Sequence, residues 1–231
     1  MTKAKRRGNG HTAPQDEPKL PVRIQRPDDD PAPQVPRRGV VHRITQETDV
    51  KVAIEVDGTG KHKIDTGIPF LNHMLVTLAH HSLMDIQVLA RGDVEVDPHH
   101  TVEDIGLCLG RALLDALGDR QGIHRFGECA RPFDEALVRC HIDFSGRPQF
   151  VYRVALAPGR IGSFDVELAE VFFSAFAAEA RMNLHLVLEY GQNRHHIVEG
   201  CFKTLAAAIR RAVEVDPRRG QDVASTKGRL D

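Results

Sequence analysis

The segment Pro98-His99-His100-Thr101-Val102-Glu103-Asp104 returns 96 residues later as Arg194-His195-His196-Ile197-Val198-Glu199-Gly200. Each copy opens an apolar run: Val102, Ile105, Leu109, Leu113 and Ala116 in the first, Val198, Cys201, Leu205, Ile209 and Ala212 in the second. Both advance in steps of 3, 4, 4 and 3, so each copy starts an amphipathic helix with the same buried face. A chain with two such helices in matched register is built by duplication, and its two histidine clusters sit at the first turns of related helices.

Composition narrows what those clusters can serve. The 231 residues are 41% hydrophobic and 27% charged, with a formal net charge of -1. That balance describes a soluble globular protein and supplies no field for nucleic acid or an anionic membrane. Aromatic residues make up 5% with no tryptophan, which argues against base stacking. No apolar run approaches the roughly 18 residues of a membrane span. Cys108, Cys129, Cys140 and Cys201 form no CxxC pair, so buried free thiols in a reducing cytoplasm are expected. Thirteen histidines, six of them in adjacent pairs, are the compositional clue to chemistry.

Seven of the 13 prolines fall within the first 36 residues, mixed with charges and without an aromatic residue. Residues 1–38 therefore read as a disordered tail, and Asp28-Asp29-Asp30 argues against a transit peptide. From Val40 the pattern becomes β. Residues 50–56 alternate, Asp57-Gly58 turns the chain in an expected hairpin, and a strand follows at Lys61–Ile64. A helix is expected over 70–81, a strand over 85–90, and the first His-His helix to about Gly118. The second half predicts strands at 136–144 and 149–156 around Ser145-Gly146-Arg147-Pro148, a helix over 165–180, a strand over 184–189, and the second His-His helix to about Val213. The fold class is α+β: tandem duplicated β-β-α-β-α units packed together, helices on one face of each sheet. The domain spans 39–231, with repeats over about 40–125 and 131–215 and a closing segment at 216–231.

Aligning Leu83-Met84-Asp85-Ile86 with Arg181-Met182-Asn183-Leu184 sets His73 opposite Val171. The halves are not chemically equivalent. Adjacent histidines on a helix diverge by about 100°, so they do not readily share one ion. The economical geometry sends one histidine and the glutamate to one metal and the other histidine to a second. His73 is able to add a further ligand. Imidazole and carboxylate without thiolate suit Mn²⁺, Fe²⁺ or Zn²⁺, with Mn²⁺ favoured by octahedral coordination. The Ala224-Ser225-Thr226-Lys227-Gly228 loop, Lys203 one turn past Glu199, and turn-borne Arg125 and Arg147 suit a small phosphorylated substrate.

Over residues 40–231 the chain resembles imidazoleglycerol-phosphate dehydratase. The resemblance rests on Thr45-Gln46-Glu47-Thr48, Asp57-Gly58-Thr59-Gly60, His73-Met74-Leu75, Gly92-Asp93, and His99 to Asp104. It continues through Asp143 to Pro148, Phe172-Phe173, His195-His196 with Glu199, Phe202-Lys203, and Ser225 to Gly228. It implies a carbon–oxygen lyase of histidine biosynthesis that converts imidazole glycerol phosphate to imidazole acetol phosphate through an imidazolate and a diazafulvene. It implies two Mn²⁺ per active site, held by His73, His99, His100, Glu103, His195, His196 and Glu199, with ligands contributed across subunits. It implies a homo-oligomeric shell of 24 subunits. Arg125, Arg147, Lys203, Ser225 and Lys227 match positions that hold the substrate, and His81 and Thr226 are placed with them. Glu47 matches a substrate-contacting carboxylate and is the expected proton-transfer group.

The chain departs from that pattern at three places. Asn72 stands where the family has Asp, Pro98 replaces a commonly acidic residue, and Val171 occupies a metal-ligand position, with Glu170 beside it pointing elsewhere. Val171 and Asn72 favour a second reading, a weakly active or non-catalytic metal-binding relative that keeps the shell. A third reading is a di-metal hydrolase of another phosphorylated compound.

Overall fold

A computed structural model describes residues 36–230 and Met1. The expectation of a disordered tail falls on residues 2–35, outside the described residues, but Arg38, read as the tail's last residue, opens the first strand. Arg37 is anchored as well: it binds Asp57 through two nitrogens and donates to the Val213 carbonyl at 2.7 Å.

Unit one comprises β1 (Arg38–Ile44), β2 (Thr48–Glu55), β3 (His62–Asp65), α1 (Pro69–Ser82), β4 (Asp85–Gly92) and α2 (His99–Leu117). Unit two comprises β5 (Phe126–Phe133), β6 (Ala136–Asp143), β7 (Gln149–Arg153), a short ribbon of β8 (Arg160–Ile161) and β9 (Phe164–Asp165), α3 (Glu167–Glu179), β10 (Asn183–Tyr190) and α4 (Arg194–Val213). Each expected β-β-α-β-α unit is thus present and is preceded by one more strand, β1 or β5. Unit two accordingly begins at Phe126 rather than about 131.

The sheets have matching orders, β1-β2-β4-β3 and β5-β6-β10-β7. Here one expectation is corrected. Asp57-Gly58 does not close a hairpin between β2 and β3, because β4 takes the edge of β2 from Thr48↔Gly92 to Glu55↔Asp85. The chain instead passes under the start of β4, and β3 joins the far side in parallel. Asp85 Oδ1 secures the crossing by accepting from Thr59 N and Lys61 N at 2.7 and 2.8 Å. A Cβ on Gly58 would lie 2.5 Å from Asp85 N, so only glycine clears the crossing. In unit two, β7 likewise pairs in parallel with β10 rather than returning along β6.

The helices lie against the inner sheet faces, where Val50, Val52 and Ile54 alternate inward from β2 and Val138, Cys140 and Ile142 from β6. Across the middle, α1 packs on α4 and α2 on α3. Phe172, Phe173, Phe176 and Phe202 cluster there with ring centroids 4.7–6.0 Å apart. Such pairs add about 0.5–1.5 kcal/mol each beyond simple burial. The duplication reaches the backbone. Gly39 meets the Ala112 carbonyl on α2, and Gly127 meets the Ala208 carbonyl on α4, each at a distance only a hydrogen in place of Cβ allows. Leu83 and Arg181 end α1 and α3 with the same positive φ, 61° and 49°.

Cys108, Cys140 and Cys201 are buried free thiols, whereas Cys129 is only partly buried. Burial pushes Cys108 up to about 11 and Cys201 up to about 12, so these are packing groups. Among the described residues, no helix is long and apolar enough to cross a membrane.

Candidate active site

Asn193 starts α4 by accepting through its side chain from His195 N and His196 N. That cap fixes the first turn, and Glu199 follows one turn on, 6% exposed. Its Oε2 meets His195 Nε2 at 3.0 Å and His73 Nε2 at 3.3 Å; Oε1 meets Lys203 Nζ at 2.8 Å. His73 reaches this turn because α1 packs on the other unit's helix. Phe70, one turn before His73 on α1, lies edge-on to His195 at 5.3 Å. Burial opposes ionisation of Glu199, but Lys203, His195 and His73 together hold its carboxyl below the usual range. Lys203 also sits 3.5 Å above the Phe133 ring, so it is held from two sides. Burial first, then the neighbouring His80, Lys203 and Arg131, depress His81 below the ordinary histidine range.

The outer histidines point away from this group. His195 and His196 are nearly perpendicular, their rings 6.0 Å apart. His196 Nδ1 is held by Glu135 Oε2 at 2.6 Å and its Nε2 lies 3.4 Å from Asp134. The His196 bond comes first among the influences that pull Glu135 down to about 2. In unit one, His100 Nδ1 meets Asp93 Oδ2 at 3.0 Å and Glu47 Oε2 at 3.5 Å. The Asp93 bond, with Glu47 adding to it, raises the pKa of His100. A carboxylate on Nδ1 is the arrangement typical of a histidine whose other nitrogen ligates a metal.

Two groups of side chains bring three potential ligand atoms within 4.8 Å of one another: His73, His195 and Glu199, and Glu47, Asp93 and His100. Both consist of imidazole and carboxylate, the donor set of a divalent first-row cation. Asp93 Oδ1 is buried without a hydrogen-bond partner among the described residues, while its Oδ2 holds His100. His99 and Glu103 stand exposed at the first turn of α2 and join neither group. Pro98 gives that turn no side-chain cap; His99 N is taken by Asp97 instead. Asn72 Oδ1 accepts from Thr66 N and Thr66 Oγ1, so it ties down the loop before α1 and does not orient His73.

The phosphate-type residues gather elsewhere. Arg125, Arg147, Ser225, Thr226 and Lys227 line one open cleft of about 820 Å³, together with Arg219 and Arg229. The C-terminal segment is laid there by bridges Gln121↔Val223 and Ile123↔Val215, and by Arg120 donating to the Leu230 carbonyl. Arg125 is bidentate to Asp143 and donates to the Ala224 carbonyl at 2.8 Å. Two of its five N–H groups remain for an anion. Lys203, His81 and Glu47 do not line this cleft, nor do the histidine clusters.

Sequence reasoning did not single out Glu135, Asp134 or a role for Asp93. The signal for Glu135 was present. It follows Glu47 by 88 residues, the same offset that relates β2 to β6.

A family model described as imidazoleglycerol-phosphate dehydratase matches residues 66–209. A protein of that name from Synechococcus sp. (strain CC9605) is 50% identical over 195 residues, covering 84% of this chain and 96% of its own length. One from Geobacter metallireducens is 50% identical over 194 residues, covering 84% and 99%. Among solved structures, imidazoleglycerol-phosphate dehydratase from Staphylococcus aureus superposes with a TM-score of 0.71 at 35% identity, covering 78% of this chain and 99% of that one. The Pyrococcus furiosus protein in complex with (S)-C348 gives the same score and identity, covering 82% and 100%.

Proposed function

We propose, from the premise that this chain belongs to the imidazoleglycerol-phosphate dehydratase family, that it dehydrates imidazole glycerol phosphate to imidazole acetol phosphate in histidine biosynthesis. Its reaction class is that of a carbon–oxygen hydro-lyase. The observation that carries the reading is the convergence of His73, His195, Glu199 and Lys203 from two helices of opposite units.

The donor set fits two Mn²⁺ per active site, with His73, His195 and Glu199 at one position, His99 and Glu103 at the other, and His100 and His196 turned toward a neighbouring copy. Bound there, the ions would supply Lewis acidity toward the substrate's imidazole ring. The protein's own groups do the rest. Glu47 lies at the rim of the His100 group, but Asp93 holds that histidine more closely, which leaves Glu47 able to move a proton on the substrate carbon. Lys203 and His81 lie together near Glu199, available to the glycerol hydroxyls. Arg125, Arg147, Ser225, Thr226 and Lys227 supply charge and donors for the phosphate. The separation of this cleft from the histidine groups in one chain supports a site completed between copies in a 24-subunit shell. Partly and fully buried free thiols suit a cytoplasmic enzyme.

The test is purification with Mn²⁺ and an assay for imidazole acetol phosphate. Product formation is expected, and Glu47→Gln should lower turnover about 10²–10⁴-fold with metal content intact. A metal-loaded shell that yields no product would favour the non-catalytic reading that Val171 motivates. Undiminished turnover in Glu47→Gln would remove Glu47 from its role.

A further inference from the structure

The two units present the same first-turn motif to opposite partners, and this allows each cluster to be checked against the other. Offsets of 98 and 96 residues relate α1 to α3 and α2 to α4, as the matched αL residues and the matched Gly39 and Gly127 contacts require. Under these offsets the trio His73, His195 and Glu199 maps onto Val171, His99 and Glu103. The packing agrees with the mapping. A Cβ on Gly106, three residues past Glu103, would meet the Phe172 carbonyl at 2.8 Å, and one on Gly110 would meet the Phe176 carbonyl at 2.4 Å. The helices α2 and α3 therefore run side by side in the same direction, and Val171, the residue before Phe172, lies within one turn of the level of Glu103.

Val171 is half-buried and has no lone pair to offer. Among the described residues, no third imidazole, thiol or carboxylate joins His99 and Glu103 as His73 joins His195 and Glu199. Glu170 does not stand in for it, since one residue along the helix turns its side chain about 100° around the axis. Nor does the second unit's wiring recur here. Glu199 is buried and paired with Lys203, but Glu103 is exposed, and position 107, the counterpart of Lys203, is Leu.

We propose that the two metal positions of this enzyme are unequal by construction. The α1–α4 position is a high-affinity site with three ligands from one chain. The α2–α3 position has two, because Val171 replaces the imidazole that its twin receives from His73. The inference rests on the metal reading above and adds an order of filling to it. His100 and His196 stand at matching places in the two motifs, so the ligand each would offer a neighbouring copy is matched in kind.

The experiment uses the full-length assembled protein, stripped of metal and reloaded with Mn²⁺ alone. After gel filtration in Mn²⁺-free buffer, elemental analysis should find one retained ion per chain. Titration calorimetry should resolve a second, weaker step, displaced on the order of 100-fold, the upper end of what loss of even an outer-shell partner costs. Val171→His should retain two ions per chain and merge the steps, while Val171→Ala, which adds no donor, should still retain one. His73→Ala should lose the tight ion. Two equally tight ions in the unaltered protein would overturn the proposal. So would a Val171→His variant of unchanged assembly and helix content that still retains one. Retention of no ion would instead overturn the metal reading itself, a result distinct from either.

Discussion

The first turns of α2 and α4 carry the same five-residue motif, yet the structure treats them differently. On α4, Asn193 caps the turn and Glu199 is buried among His73, His195 and Lys203. On α2 no side chain of the cap residue closes the turn, and Glu103 faces solvent. The buried carboxylate there is its neighbour Asp104, held by Arg43 at 2.9 Å and by the Thr48 hydroxyl, which ties α2 to the β1–β2 edge. Gly200 occupies the corresponding place on α4. Duplication thus preserved the helix and its ligand spacing while each copy acquired its own means of fixing that turn. A motif repeat predicts where donors start; the neighbouring helix determines how many converge.

Three measurements test the comparison. The largest effect is expected where the units are alike. Gly39→Ala and Gly127→Ala each drive a methyl into a helix carbonyl and should each cost about 3 kcal/mol or more in denaturant melts. A large loss in only one would show that the sheets do not seat their helices equivalently. Next, Glu199→Gln should destabilise the metal-free protein by about 2–3 kcal/mol, because mostly buried Lys203 loses its anion. Glu103→Gln should stay within about 0.5 kcal/mol. Equal losses would contradict the asymmetry of the two turns.

The smallest effect concerns pH. The Arg37 guanidinium holds Asp57 below the usual aspartate range, against a smaller opposing contribution from burial. A lowered folded-state pKa stabilises above the unfolded value, and that contribution disappears as pH falls below about 4. Asp57→Asn should therefore cost under about 1 kcal/mol at pH 7, since Asp57 itself is exposed to solvent, and nothing near pH 2. The matching position in unit two, 88 residues on, is buried Ser145, which does not titrate, so Ser145→Ala should give no such pH profile.

Much of this was legible in the chain itself. The apolar steps after each His-His pair located α2 and α4, and Gly118 marked the end of α2. The offset of 98 in the chain by itself sets His73 against Val171. Strand partners were less legible. Residues 57–58 carry a hairpin signature, but a turn signal reports only local dihedrals, and Asp85 with β4 overrode it through contacts made across some 25 residues. The first strand of unit two escaped because Phe126–Phe133 mixes polar, charged and proline residues on a sheet edge, where one face need not be apolar.

The sequence by itself determined the duplication, the faces of the helices, the donor types and the place where one unit lacks a histidine. All of these are short-range properties, set by periodicity along one chain segment. Only the tertiary structure decided that α1 crosses to α4 and α3 to α2, so that His73 of unit one serves the motif of unit two. That pairing follows from burying two half-cores against each other, a choice made by whole apolar faces. It also decided that Glu135 and Asp93 hold the outer histidines. The opening motif consequently becomes two unlike sites, one closed by His73 and the other left short by Val171.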